Sequence, residues 1–175
     1  MEKVTVIRVE EKYENNKDIK NLLKYIVRSK TGQGTVEHWG TRGVLKDVQK
    51  AYEEIVGVQE FIGKTKGRRI HHLVVSFAKE IKDEQMLVEL ADELADHLGE
   101  EYQLLYGIHM DTDNWHIHIA MNSVSYRTGK KWHANLREFD DWRKQMFKIV
   151  SNQFKKHGYE FYYKNIFQWT ENFPL

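Results

Sequence analysis

The stretch YGIHMDTDNWHIHIAMNSV, residues 106–124, decides how the chain is read. Two apolar runs, at about 102–110 and 115–124, flank the tetrad DTDN, whose residues favour tight turns, so the segment reads as a β-hairpin. In a strand, side chains two apart share a face. His116, His118, Ala120 and Asn122 therefore point one way, and Trp115, Ile117, Ile119 and Met121 point to the core. The two imidazoles on the polar face lie about 7 Å apart along the strand. His109 and Asp111 come from the partner strand and the turn, where antiparallel pairing can bring them alongside. The pattern H-x-D-x(4)-H-x-H suits ligation of one cation by nitrogen, with Asp111 as a further ligand or as a group fixing a histidine tautomer.

Working outward, Val4, Val6 and Val9 predict a strand at about 3–9, and IHHLVVSF predicts another at 70–77. A short strand is expected at 35–39 and a last one at 159–163. Ile19, Leu22, Leu23, Ile26 and Val27 recur at helical spacing over 17–29, with Gly32 and Gly34 as the stop. A second helix is expected at 44–62, with Val44, Leu45, Val48, Tyr52, Ile55 and Val56 on its apolar face. A third runs from the cap Asp83 to Leu98 with Gly99 ending it, and a fourth covers 136–157. Strands and helices mix without strict alternation. The expected class is α+β, a two-layer sandwich in which helices cover one face of a mainly antiparallel sheet of about five strands.

With 175 residues, 41% of them hydrophobic, and no repeat or linker, the chain is expected to form one domain, complete or the N-terminal part of a longer protein. There is no cysteine, which excludes thiolate metal sites, iron–sulfur clusters and disulfides. No run approaches about 18 apolar residues and the start lacks a secretory layout, so a soluble, cytoplasmic protein is expected. The net charge of +1 conceals a segregation: residues 79–101 carry nine acids against two lysines, −7, leaving +8 on the rest. Basic residues gather at Lys64, Lys66, Arg68 and Arg69, and again at Arg127, Lys130 and Lys131. Both groups are candidates for phosphate contacts.

Tyr25 is the candidate nucleophile. It lies about 130° off the centre of its helix's apolar stripe, at about 100° per residue, and Lys24, Arg28 and Lys30 stand near it in sequence. Cations there favour the phenolate and attract phosphate. His71 and His72 are adjacent in a strand and point to opposite faces, so at most one belongs to the site, and both are read as structural or DNA-contacting. Trp39 and Trp132 are candidate stacking surfaces for unpaired bases, while Trp115 is read as core.

Three stretches together resemble a known family. HMDTDNWHIHIAMN is similar to the third motif of the conjugative DNA relaxases of the MOBP class, the group that includes the IncP plasmid relaxases, within the HUH endonuclease superfamily. LLKYIVRSKTG resembles their first motif, and RRIHHLVVSF their second, in the same order and spacing. The resemblance implies strand-specific nicking and rejoining of single-stranded DNA at a transfer origin. Tyr25 would become joined to the 5′ phosphate. His109, His116 and His118 would bind a divalent cation, commonly magnesium or manganese, with Asp111 as acidic partner and Ser76 holding DNA near the nick. His109 is read as the third ligand, the alternative being a base backed by Asp111. Accessory relaxosome proteins and a type IV secretion coupling protein are the implied partners. The rival readings are a rolling-circle replication initiator or transposase, which usually place the tyrosine downstream of the histidines, a non-catalytic DNA-binding module, and a small-molecule metalloenzyme.

Overall fold

The computed structural model describes residues 4–9, 11–29, 34–133 and 135–160, and the backbone of 167–170. Six strands form one sheet: β1 (Val4–Val9), β2 (Trp39–Arg42), β3 (Ile70–Phe77), β4 (Leu104–His109), β5 (His116–Asn122) and β6 (Phe167–Thr170). Their order across the sheet is β2-β4-β5-β3-β1-β6. Every pairing is antiparallel except β1 with β6, which is parallel. The helices are α1 (Asn16–Val27), α2 (Val48–Ile62), α3 (Glu84–Gly99) and α4 (Leu136–Lys156). The expected α+β class and mainly antiparallel sheet are found.

The helices divide between the two faces rather than covering one. On one face α3 and α4 pack Leu87, Leu94, Val150 and Phe154 against Val75, Ile117 and Ile119. On the other, α1 and α2 pack Leu23, Ile26 and Ile55 against Ile70, Leu105 and Ala120. This second face carries the hairpin histidines. Sequence periodicity marks an apolar stripe but not the sheet face it meets.

Each helix starts where a side chain accepts from its first turn. Asn15 and Asp18 make a reciprocal capping box on α1, as do Asn135 and Glu138 on α4, and Asp83 accepts from Met86 N on α3. Asp47 accepts from Lys50 N at 2.8 Å and so begins α2 at Val48, later than the predicted 44. Leu45 is left in the preceding loop, 61% exposed. Gly99 is the last residue of α3, and Glu100 caps it. A Cβ at Gly99 would lie 2.6 Å from Arg42 Cβ, so the glycine there admits the neighbouring strand's arginine.

The predicted strand at 35–39 shifts to Trp39–Arg42, where the chain pairs with β4. Thr35 makes only an isolated bridge to Arg28. Of the strand expected at 159–163, residues 161–163 lie outside the described residues, as do Lys30 and Gly32.

Candidate metal and nucleophile site

β4 and β5 pair with His109 opposite His116 and Gly107 opposite His118. On the other side β3 places Ser76 opposite His116 and Val74 opposite His118. Three imidazoles thus converge on one face, with ring centroids 4.5 Å apart for His109 and His118, 4.7 Å for His116 and His118, and 5.5 Å for His109 and His116. All three are buried, at 7%, 8% and 0% exposure in chain order. Each offers one nitrogen, and these three atoms lie within 4.8 Å of one another.

The hydrogen bonds around the triad assign its protons. His109 Nε2 is 2.8 Å from the Ile26 carbonyl oxygen, and His116 Nδ1 is 2.6 Å from that of Asn114. A carbonyl only accepts, so both nitrogens are donors and the lone pairs sit on His109 Nδ1 and His116 Nε2. Burial, reinforced by the neighbouring imidazoles, holds His118 well below the ordinary histidine range and brings His72 down to about 3. These two rings are neutral at pH 7. A buried, all-nitrogen donor set fits a divalent transition ion. It fits magnesium only where a substrate adds oxygens. One other group of this kind among the described residues, Glu37, His38 and Glu84, is largely exposed and sits beside β2.

Tyr25 lies over this triad. Its half-buried ring stands 5.4 Å from that of His118, 5.6 Å from His109 and 6.3 Å from His72. The approach depends on Gly107, where a Cβ would come within 2.6 Å of Ile26 O. The bare backbone lets the last turn of α1 settle onto β4, and the His109–Ile26 bond fastens it there. The phenol's pKa is raised. Burial is the main cause, the charge of Arg28 pulls it down, and Asp111 pushes it up. The nearby cations expected to favour the phenolate are therefore outweighed in the metal-free chain. Asp111 is exposed in the turn and is not one of the three converging groups. The Nε2–H of His109 goes to Ile26 rather than to a supporting carboxylate.

Ser76 is half-buried beside His116 and lines a cavity of about 290 Å³ with Thr5 and Asn114. Lys24 on α1 and Arg28, which caps that helix, are exposed close to Tyr25 in the chain. The two basic loops stand elsewhere. They join β3 and β5 at the end where Ile70 pairs with Asn122, whereas His116 pairs with Ser76 at the other. From His118 to Asn122 is about 13 Å along the strand. There the loops meet, Lys131 Nζ donating to Lys66 O. Lys64, Lys66, Arg127 and Lys130 are exposed. Arg68 is half-buried, donating to Glu11 O.

Arg69 is a correction. It is 5% exposed and its Nε donates to Gln59 Oε1, while Gln59 Nε2 donates to Asn122 Oδ1 at 2.7 Å, so it belongs to a buried polar network and not to a surface for phosphates. His71 points to the opposite face from His72, as strand alternation requires, and bonds Trp132 O at 3.0 Å in the core. Trp132 is thereby buried, and is not a stacking platform. Trp39 is half-buried with Lys46 Nζ 5.0 Å from its ring centroid, and Trp115 packs partly buried at the core's edge.

Sequence reasoning missed Gly107, whose role depends on a helix passing overhead. It also missed Tyr13, whose hydroxyl is 3.1 Å from His72 Nδ1. Neither has a local pattern that would single it out.

Residues 25–162 match the family model for the MobA/VirD2-like relaxase nuclease domain. The chain is 32% identical to the protein Rlx of Staphylococcus aureus over 97 residues, 55% of this chain and 29% of the relative. It is 32% identical to the protein TraI of Escherichia coli over 110 residues, 61% of this chain and 15% of the relative. It is 38% identical to the protein MobA of Acidithiobacillus ferrooxidans over 63 residues, 35% of this chain and 15% of the relative. It thus matches about a third or less of these relatives' lengths. A solved structure from work on the molecular basis of vancomycin resistance transfer in Staphylococcus aureus superposes with a TM-score of 0.65 over 90% of this chain and 95% of that one, at 13% identity, a likeness of fold.

Proposed function

Because this chain belongs to the MobA/VirD2-like family of relaxase nuclease domains, we propose that it nicks and rejoins one strand of DNA at the transfer origin of a plasmid or integrative element, with Tyr25 as nucleophile. The observation that carries this reading is the phenol of Tyr25 over the buried triad, 5.4 Å from the His118 ring.

The Tyr25 oxygen forms a bond to the scissile phosphorus as the bond from phosphorus to the 3′ oxygen breaks. The phenolic proton is released to solvent, and the departing oxygen takes up a proton from solvent to become a 3′ hydroxyl. One phosphodiester replaces another, leaving a 5′-phosphotyrosyl strand. No nucleotide is consumed, and the reverse attack rejoins the ends. His109, His116 and His118 would hold a divalent ion, manganese or magnesium, which when bound stabilises negative charge on the phosphate oxygens and on the phenolate. With its Nε2–H given to Ile26, His109 is the third ligand in this proposal rather than the base. Its Nδ1 carries the lone pair.

Lys24 and Arg28 contact phosphates beside the nick, Ser76 holds the strand near His116, and the exposed lysines of the far loops follow it further along the sheet. Single-stranded DNA is the proposed substrate. Accessory relaxosome proteins and a type IV secretion coupling protein are the proposed partners, in the cytoplasm. The segment is proposed to act as one nuclease domain. No helix among the described residues is long and apolar enough to cross a membrane.

The test is intact-protein mass spectrometry after incubation with Mn²⁺ and single-stranded DNA from a candidate origin. A covalent adduct is expected in the wild type and not in Tyr25→Phe or His116→Ala. An adduct on Tyr25→Phe would refute the nucleophile, and one that forms fully in chelator would refute the need for metal.

A further inference from the structure

We infer that Thr112 and Lys82 are positioning residues of the metal site. Together they brace the hairpin turn so that its Asn114 carbonyl meets His116 Nδ1, which leaves the Nε2 lone pair of that ring for the ion. The inference deepens the metal-site reading above and rests on it for its purpose.

His109 and His116 are each oriented by a backbone carbonyl, but the two carbonyls are held differently. That of Ile26 belongs to α1. That of Asn114, 2.6 Å from His116 Nδ1, lies in the connection 110–115 between β4 and β5. A loop is more mobile than the strands it joins. The aim of His116 is therefore only as good as whatever fixes the Asn114 peptide.

Side chains fix it. The Thr112 hydroxyl donates to Asn114 O at 2.5 Å, so the two lone pairs of that oxygen are taken by Thr112 and His116. Lys82 Nζ donates to the two preceding carbonyls, Thr112 O at 3.2 Å and Asp113 O at 2.6 Å, and stands 4.7 Å from the centroid of the Trp115 ring. Trp115 O accepts from Phe77 N at 2.9 Å, and Asn114 Nδ2 donates to Phe77 O at 2.9 Å. Every carbonyl from Thr112 to Trp115 is thus engaged, two of them by one ammonium.

Lys82 reaches the turn from a fixed base. Ile81 before it is buried, and Asp83 after it caps α3 by accepting from Met86 N at 2.9 Å. Lys82 itself is exposed, where solvent screens its charge, so half-buried Thr112 carries the larger effect. Both act on His116 through the peptide group of Asn114.

The test uses the full chain, ¹⁵N-labelled on histidine and free of metal, at about pH 8, above the ordinary histidine value. Long-range ¹H–¹⁵N spectra should show wild-type His116 as the Nδ1–H form. Thr112→Val keeps the shape of the side chain but removes the hydroxyl, and an Nε2–H population of His116 should appear. His109, whose carbonyl is in α1, should keep its Nε2–H form in the same spectrum. Mn²⁺ affinity, measured by calorimetry, should fall by about 10-fold to 100-fold, the usual cost of losing a group that orients a ligand. Thr112→Ser, which keeps the hydroxyl, should restore both, and circular dichroism verifies that each variant is folded. Lys82→Met should act in the same direction less strongly, and no effect would remove Lys82 from the brace. A wild-type His116 in the Nε2–H form, or a folded Thr112→Val still wholly in the Nδ1–H form, overturns the inference. So does a variant in which His109 and His116 change together, since that is general loosening of the fold. A His116 that responds as expected in a chain that binds no Mn²⁺, or with no loss of Mn²⁺ affinity, supports the brace and overturns the metal-site reading alone.

Discussion

His109 donates from Nε2 to the carbonyl oxygen of Ile26 across 2.8 Å, tying the ligand hairpin to the residue that follows the candidate nucleophile. One bond therefore fixes the tautomer of an imidazole and the seat of Tyr25. The contact exists because Gly107, opposite His118 in the ladder, presents no side chain to the descending helix.

Gly107→Ala is expected to unseat α1. The added carbon would meet Ile26 O at 2.6 Å, a backbone atom that cannot swing aside. Overpacking of this kind costs about 1–3 kcal/mol. The melting temperature should fall, and the rate of adduct formation should fall by more than tenfold because Tyr25 loses its place. A variant with wild-type rate would show that the close approach is dispensable.

His116→Ala should remove metal-dependent stabilisation. An ion that binds only the folded chain stabilises it by about 2.7 kcal/mol at a hundredfold excess over its dissociation constant. Thermal melts with and without saturating Mn²⁺ should differ for the wild type and coincide for the variant. A difference that survives in His116→Ala would place the ion elsewhere.

The metal-free chain should lose stability as pH falls below about 6.5, the ordinary histidine value. His71, buried against Trp132, is held down to about 3 by desolvation, while the unfolded chain takes up the proton near 6.5. The lowered folded value means that the stability is present above 6.5 and is lost progressively between about 6.5 and 3, by up to about 1.4 kcal/mol per pH unit from this one group. Denaturant titrations across that range measure the slope. His71→Gln should make it shallower, and an unchanged slope would contradict the assignment.

Lys66→Ala and Lys130→Ala are expected to weaken binding of long single strands but not of a short oligonucleotide spanning only the nick, since their loops sit at the opposite end of β3 and β5 from Ser76 and His116. Each lost phosphate contact should lower the slope of log affinity against log salt by about 0.7. Arg69→Ala, by contrast, should chiefly lower the melting temperature, because Arg69 is anchored inside on Gln59. Equal losses on short and long strands would argue against a path along the sheet.

The hairpin was legible in the sequence because two-residue alternation states directly which histidines share a face, and the stripe of α1 was legible because all five of its apolar residues are buried. What escaped depends on partners far apart in the chain. The basic loops flank the second and third motifs in sequence, yet an antiparallel strand carries its two ends to opposite edges, so flanking residues need not be neighbours of the site. Arg69 looked like its exposed neighbours because charge alone does not reveal that Gln59 waits ten residues upstream. Gly107 and Tyr13 act through Ile26 and His72, and no local pattern announces either pairing.

The acids of α3 acquire a direction from the sheet between them and the triad. Several are engaged on their own side: Asp96 with Arg42, Glu89 with Lys156 and His157, and Glu93 with Gln153. The whole segment still keeps its excess of negative charge. That excess and Tyr25 lie on opposite faces of the sheet, so the strongest concentration of like charge is held away from the residue that would meet a phosphate.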